Sequence, residues 1–557
     1  MDIGCAVHRR AQRIARASFA GVFLLLALML GVSSVSCAQF GLSRLPGYKV
    51  LQTLDYVKRF YVDTVDNDEL MDDAIRSLLE QLDPHSSYIS KAEAEEVNSE
   101  LEGHFYGIGI EFQVTRDTLR VVSAVPNAPA EKVGMRSGDR IVAVDGENIA
   151  AVGLTTQKVI KLLRGEKGSM VTVRAKRGEQ YFDFKIRRGE LPLHSVDVSY
   201  IVSPGIGYVR LNRFSKNTTS EMKEALAKLS AQGMQSLILD LRGNGGGIMQ
   251  EAVSLASLFL PEKSSVVYAR GRSLPKQELF AEQSEVAYQD MPLVVLVDEY
   301  TASASEILSG ALQDWDRAVI VGRRSFGKGL VQNQVSLVDG SLIRVTVARY
   351  YTPSGRSIQT PYELGESKAY RQKFADRYRH GEVYSKDSIR VGDTLTYRTL
   401  RTGRAVHGGG GITPDVFVPI DTTGGSSFVG ELLRKSIDSD WVTSYYDGHR
   451  KSLRASYPQY KDFAAGWRLD TTMVHDVLRA AAKREVKPKG DTLTHNDSLV
   501  LGWRIKALLA RQLYGFSHMV ESLNEHSDEV QKGVEILRSW ESMGRPLLQP
   551  KGNGAPK

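Results

Sequence analysis

At 557 residues the chain exceeds what one hydrophobic core organises, so two to four domains are expected. Hydrophobic residues at 42% and charged residues at 25% are ordinary for folded soluble protein, which excludes a largely disordered or multi-spanning membrane chain. The net charge of +7 falls to about +4 once a basic leader carrying +3 is set aside, and no basic stripe interleaved with aromatics is present, so no nucleic-acid partner is expected.

That leader is residues 1–38, with Arg9, Arg10, Arg13 and Arg16 ahead of the apolar run Phe19 to Val32 and small residues to Ala38. This is the anatomy of a signal peptide. The run is short for a bilayer core that takes roughly 20 helical residues. Ser36 and Ala38 fit a cut that leaves Gln39 as the new N-terminus. Membrane association stays open as the alternative, through an uncleaved leader or through lipid on Cys37, although Ser34 rather than a large aliphatic precedes that site. Cys5 and Cys37 are the only cysteines, which excludes internal disulfides, a cysteine nucleophile and cysteine-bound zinc in the folded domains. No metal and no cofactor is expected.

Residues 39–102 form an N-terminal helical segment, with Val50, Leu51, Leu54 and Val57, then Leu70, Ala74, Leu78 and Leu82 at helical spacing. Asp83-Pro84-His85-Ser86 breaks it as a turn, in which His85 reads as a turn residue before a catalytic one. Residues 103–190 change to short strands with glycine punctuation: Leu119 to Val125, Arg140 to Val144 and Met170 to Lys176, with one amphipathic helix at Thr155 to Leu163. Residues 196–420 alternate buried-type strands, Ser236 to Leu241 and Leu293 to Val297, with helices at Ser220 to Leu229, Gln250 to Leu258 and Ala304 to Gln313, which argues an α/β core. Within it Glu363 to Arg404 reads as charged and weakly structured. Residues 421–557 read as a C-terminal helical region without a chemical motif.

Three segments of the α/β part carry chemistry. In Leu293 to Glu306 a strand ends in Asp298-Glu-Tyr-Thr-Ala-Ser303 and opens directly into a helix, which exposes a hydroxyl beside free helix N–H groups. Ser303-x-x-Glu306 also reads as a plain capping box. In Phe326-Gly-Lys328-Gly329 a lysine follows another buried-type strand. To act as a base near pH 7 its pKa must fall from about 10.4, a cost of about 4.6 kcal/mol that burial can supply. In Asp240-Leu-Arg-Gly-Asn-Gly-Gly-Gly247 a strand ends in a glycine run whose N–H groups can face an anion, without the lysine and hydroxyl of a phosphate loop.

In this order and spacing the three segments, with Leu82-Asp-Pro-His-Ser86 before and Gly409-Gly-Gly-Ile-Thr-Pro-Asp415 after, resemble the C-terminal processing or tail-specific peptidases, serine peptidase family S41. The resemblance covers about Tyr48 to Val418. It implies an α+β multidomain chain in which a PDZ-like domain precedes a ClpP/crotonase-like α/β core, flanked by helical N- and C-terminal segments. It implies Ser303 as nucleophile, Lys328 as general base, Gln332 as the residue that orients the lysine, Gly247 and Ala304 as oxyanion-hole amides, and Asp314 as a supporting residue. It also implies a secreted, periplasmic endopeptidase.

The β-rich domain resembles a PDZ module through Gly134-Met-Arg-Ser-Gly-Asp139 and Ile141-Val-Ala-Val-Asp-Gly146. The resemblance makes Tyr106 with Gly107, Ile108, Gly109 and Ile110 the loop that binds the free C-terminus of a peptide or protein substrate. Val159, Leu162 and Leu163 stand either as pocket lining or as core. A homodimer through the flanking helices is a further expectation, by family analogy. Two competing functions remain: a non-catalytic PDZ scaffold, against which stand Ser303, Lys328 and Gln332 together, and a Ser-His-Asp triad using His194 or His407, neither of which lies in a motif aimed at Ser303.

Overall fold

The computed structural model describes residues 47–115, 117–284, 288–389, 395–421, 425–488 and 493–549. The expected leader, with Ala38 and Cys37, lies outside the described residues. No helix among the described residues is long and apolar enough to cross a membrane. The chain divides at Leu78. The first unit holds helix Tyr48–Phe60 and most of helix Asn67–Glu80, and the first of these buries none of its residues: Val50, Leu51, Tyr56 and Phe60 are exposed.

The second unit begins with the turn at Asp83, where Ser86 N–H and His85 N–H both donate to the Asp83 carboxylate at 3.0 Å. A short strand, Ser87–Ile89, and helix Lys91–Glu102 follow. The sheet of the β-rich domain then runs Ile110–Thr115, Thr118–Ala124, Arg140–Val144, Met170–Arg177, Gln180–Arg187, all antiparallel, and His104–Gly107 pairs with Gly189–Pro192 in a separate two-stranded ribbon. Strand Ile110–Thr115 lies at the edge of its sheet and pairs on one side only. Helix Thr156–Leu163 starts one residue after the expected Thr155 because the Thr155 hydroxyl caps it, accepting the Lys158 N–H at 3.2 Å. Val159 and Leu163 are buried among the sheet's side chains and belong to the core, while Leu162 is only partly buried.

The α/β core is a six-stranded sheet ordered Val196–Ser203, Ile206–Leu211, Ser236–Asp240, Leu293–Val297, Val319–Gly322, Val416–Phe417. From Ile206–Leu211 onward neighbouring strands are parallel. The sheet is covered on both faces, which is why Ser236–Asp240, Leu293–Val297 and Val319–Gly322 are continuous buried runs and not alternating ones. Helices Thr218–Ala231, Met249–Ala256 and Ala304–Asp314 cover one face. On the other, helix Asp528–Arg538 brings Val530, Val534 and Ile536 against Ile238, Val294 and Val319. A second sheet of Leu342–Tyr351, Leu330–Ser336, Ser265–Arg270, Gln277–Phe280 and Ser87–Ile89 stands beside it.

The stretch Glu363 to Arg404 is more structured than its composition suggests, with helix Ser367–Arg379 and a ribbon of Thr396–Arg398 with Ala405–His407. Its charges tie it to the core: Arg377 and Arg324 both pair with Glu382, and Arg377 Nη1 donates to the Ser325 carbonyl at 2.9 Å. Such pairs are made between elements, so no periodicity along the chain reveals them. The C-terminal region is helical as expected, from Ser427–Arg434 through Asp528–Arg538, around its own core of Phe428, Tyr446, Phe463 and Leu501.

Candidate active site

Three adjacent parallel strands deliver the three motifs to one edge of the sheet. Asp240 to Gly247 follows Ser236–Asp240, Ser303 follows Leu293–Val297, and Lys328 follows Val319–Gly322, each at the carboxyl end of its strand. Sites of open α/β sheets form there, because every loop at that end faces the same crevice.

Ser303 sits on a sharp strand-to-helix turn with φ +57° and ψ −116°. A positive φ on a residue with a Cβ costs on the order of 1–3 kcal/mol and persists only when its surroundings impose it. They do so here. The Ser303 N–H donates to Glu306 Oε2 at 2.9 Å, and the Tyr350 hydroxyl lies 3.0 Å from the Ser303 carbonyl and 2.5 Å from that of Lys328. The turn is tied to the glycine run as well: Ala302 N–H and Ser305 Oγ both donate to the Asn244 carbonyl at 3.0 Å.

Gly246 and Gly247 then pass directly beside the elbow. A Cβ on Gly246, where φ is +97°, would stand 2.7 Å from the Ala302 carbonyl oxygen and 2.8 Å from the Ala304 nitrogen. At Gly247, φ +144°, it would meet the Phe214 carbonyl oxygen at 2.0 Å. Neither the Gly247 N–H nor the Ala304 N–H donates to another described residue. Two unspent donors beside the Ser303 hydroxyl are what an oxyanion formed there would need.

Lys328 is half-buried, and its amine donates to Gln332 Oε1 at 3.0 Å. Gln332 is held in turn, its Nε2 donating to the His85 carbonyl at 2.7 Å. Burial pushes the Lys328 pKa down, the Arg344 guanidinium pushes it the same way, and Glu306 and Asp83 oppose them. Ser303, Lys328, Gln332, Arg344 and Gly245 to Gly247 line one cavity of about 680 Å³ whose apolar wall includes Val97, Leu101, Met249 and Ile307. Among the described residues no hydrogen bond joins Ser303 to Lys328 directly.

Sequence reasoning saw Glu306 only as a cap. In the fold it is fully buried, and besides Ser303 it takes Lys328 N–H at 2.9 Å, Gly327 N–H at 2.8 Å and Ser325 Oγ at 2.5 Å. Burial raises its pKa to about 7 against those four hydrogen bonds. One carboxyl thus fixes the backbone of both Ser303 and Lys328. The signal was present: Glu306 is an acid inside Ala304–Asp314, a helix that is buried at every position.

Asp314 is not brought to this cavity. It closes the far end of the helix, with Oδ1 2.8 Å from Arg356 Nη2 and Oδ2 accepting the Ser354 N–H at 2.9 Å, both charged groups fully buried. His85 contributes its carbonyl. Its ring packs on Tyr370, and burial, then the Lys328 charge, lower its pKa to about 4. His194 pairs with Glu221 and His407 lies in the ribbon beside Thr396; no described histidine lines the cavity.

In the PDZ domain Gly109 has φ +79°, and a Cβ there would lie 2.3 Å from that of Ala128. The Ile108 side chain is buried, its carbonyl accepts the Ala130 N–H at 2.8 Å, and the N–H groups of Ile108 and Gly109 donate to no described residue. Gly107 and Ile110 flank them as strand ends.

Comparison with known proteins identifies the family of the chain. Residues 205–363 match peptidase family S41, residues 120–177 match the PDZ domain, and residues 428–515 match a family of unknown function, DUF8443. A probable CtpA-like serine protease of Staphylococcus epidermidis is 35% identical over 346 residues, 61% of this chain and 69% of that protein. A carboxy-terminal-processing protease of Bartonella bacilliformis is 35% identical over 350 residues, 61% of this chain and 79% of that protein. Among solved structures the photosystem II D1 C-terminal processing protease is 34% identical, covering 56% of this chain and 84% of that one, with a TM-score of 0.32. This chain belongs to peptidase family S41 and is a serine peptidase of the carboxy-terminal-processing type with a PDZ domain.

Proposed function

We propose that the chain is an extracytoplasmic endopeptidase that binds substrate C-termini in its PDZ domain and cleaves with a Ser303/Lys328 dyad. The observation that carries the dyad is the setting of the lysine. It is half-buried in the wall of the cavity that holds Ser303, its amine bonded to neutral Gln332 and no carboxylate within ion-pair distance among the described residues. Burial of this kind favours the neutral amine. Ser303 Oγ attacks the scissile carbonyl carbon as its proton passes to Lys328 Nζ. The carbonyl oxygen, now negative, takes the Gly247 and Ala304 N–H groups. Collapse of the intermediate breaks the C–N bond, with Lys328 returning the proton to the leaving amine. Water then releases the acyl group by the same path.

The free Ile108 and Gly109 amides and the open edge of Ile110–Thr115 support capture of a terminal carboxylate with the tail added as a strand. The leader motivates the extracytoplasmic location, and lipid on Cys37 would add a membrane tether. Ser303→Ala and Lys328→Ala are each expected to abolish cleavage of a peptide with a free C-terminus while the melting temperature is kept. Substantial activity in Lys328→Arg would overturn the dyad, since arginine does not become neutral at working pH.

A further inference from the structure

The helices matching the family of unknown function meet the PDZ domain along a single helix face. Helix Ile437–Ser456 presents Ser439, Thr443 and Asp447 four residues apart, so all three lie in one row. Ser439 Oγ accepts Gln113 Nε2 at 2.5 Å, Thr443 Oγ1 donates to Gln113 Oε1 at 3.4 Å, and Asp447 pairs with Arg120. Gln113 and Arg120 are directly opposite each other in the strands Ile110–Thr115 and Thr118–Ala124, so the row crosses both strands on one face of the sheet. Arg120 is almost wholly buried under this contact although it belongs to an outer sheet face, and Arg450, one turn on, reaches the Ser137 carbonyl at 3.4 Å.

The same region is keyed into the peptidase at its other end. Glu529, on Asp528–Arg538, accepts Arg242 Nη1 at 2.9 Å and Arg323 Nη1 at 2.6 Å. Arg242 lies in the loop that ends in Gly247, and Arg323 in the loop that leads to Lys328. Gly533 on that helix lies against Ile238 and Val294 of the central sheet, where a Cβ would stand 3.1 Å from Ile238 Cδ1.

We infer that the C-terminal helical region is an internal brace: it takes the PDZ domain as its partner at Gln113 and Arg120, takes the loops of the catalytic cleft at Glu529, and fixes the distance between tail site and cleft. The inference rests on the PDZ tail-recognition reading. Two linked sites gain from each other through an effective concentration that depends on the span between them, worth roughly 10²–10⁴ when geometry permits both to be filled. The face that is braced leaves the free edge of Ile110–Thr115 unpaired, so bracing and tail binding are compatible.

The test uses the full-length protein and one peptide as free acid and as amide. Asp447→Arg sets two positive charges face to face in place of the ion pair. It is expected to lower the acid-to-amide ratio of kcat/KM by roughly tenfold or more. Cleavage of the amide should stay unchanged, while affinity of the acid for a Ser303→Ala background should fall in parallel, because both sites are filled there too. In a Ser137→Cys/Arg450→Cys variant a short bismaleimide should bridge the two domains in high yield and keep the ratio, and should restore it when Asp447→Arg is added. An unchanged ratio in Asp447→Arg, or loss of all cleavage on bridging, overturns the brace. Should the wild type cut acid and amide alike, tail recognition fails by itself. The brace is then judged by the rate of bridging, expected to fall about tenfold in Asp447→Arg and overturned by equal rates.

Discussion

The cleft at Ser303 and the PDZ loop at Ile108 both hold backbone N–H groups that donate to no other described residue, and they reach that state differently. In the cleft the donors are aimed by contacts between remote segments: Gly247 is forced against the Phe214 carbonyl, and Ser303 is held at positive φ by Glu306 and Tyr350. In the PDZ loop the donors are aimed locally, by Gly109 at φ +79° against Ala128 and by the hydrogen bond of the Ile108 carbonyl to Ala130. The cleft also adds ionisable groups in shielded places, and the loop adds none. A site that must only hold a charge is built from backbone, whereas a site that must move a proton needs side chains whose pKa the interior resets.

The sharpest way to break this contrast is at Gly247. Gly247→Ala puts a Cβ 2.0 Å from the Phe214 carbonyl oxygen at a φ that L-residues rarely adopt, so the N–H must swing away. Loss of one oxyanion donor lowers kcat by about 10²–10³. Cleavage within tenfold of wild type would remove Gly247 from the oxyanion site.

Glu306→Gln follows. An amide keeps one acceptor for the Ser303 and Lys328 N–H groups and turns its NH2 toward Ser325 Oγ, which can accept, and Gly327 N–H, which cannot, so one of the four hydrogen bonds becomes a donor–donor contact in a fully buried place. At roughly 1–3 kcal/mol for an unmet donor the expected loss is about tenfold in kcat together with a lowered melting temperature. Wild-type kinetics in this variant would show that the carboxyl does not set the elbow.

The pH profile tests the ionisable side of the contrast. The amine accepts a proton only when neutral, so activity should rise with pH, along a limb set below the ordinary lysine value by burial and by Arg344. Removing the Arg344 charge makes protonation easier. Arg344→Gln should therefore move the limb to higher pH. His85, neutral above about pH 4, is no source for such a limb. A limb that stays put or moves lower contradicts the lysine assignment.

The smallest effect is expected in the PDZ loop. Gly109→Ala strains the loop at positive φ and crowds Ala128, which should weaken binding of a free-acid tail and leave cleavage of the amidated peptide unchanged. An undiminished acid preference would separate this loop from tail recognition.

Much of this was legible in the chain. Leu293–Val297 stands where its apolar run placed it, and the helix after Ser303 differs from expectation by one residue. Thr155 to Leu163 shifted only because threonine caps better than it extends. What Asp314 and Glu306 hold was not legible there: the partner of each acid on that helix depends on what packs against its end, and Arg356 and Ser325 come from other segments.

The sequence by itself determined the strands, the glycines, the strand-to-helix turn and the family likeness, because these follow from local sterics, apolar runs and short-range spacing. Only the tertiary structure decided that Glu306 joins the two catalytic loops, that the His85 carbonyl holds Gln332, and that helix Ile437–Ser456 lies across the PDZ sheet. Each of these is a hydrogen bond or ion pair between segments distant in the chain. Their partners are chosen by which buried polar groups would otherwise be left unpaired, and that condition exists only once the layers have closed.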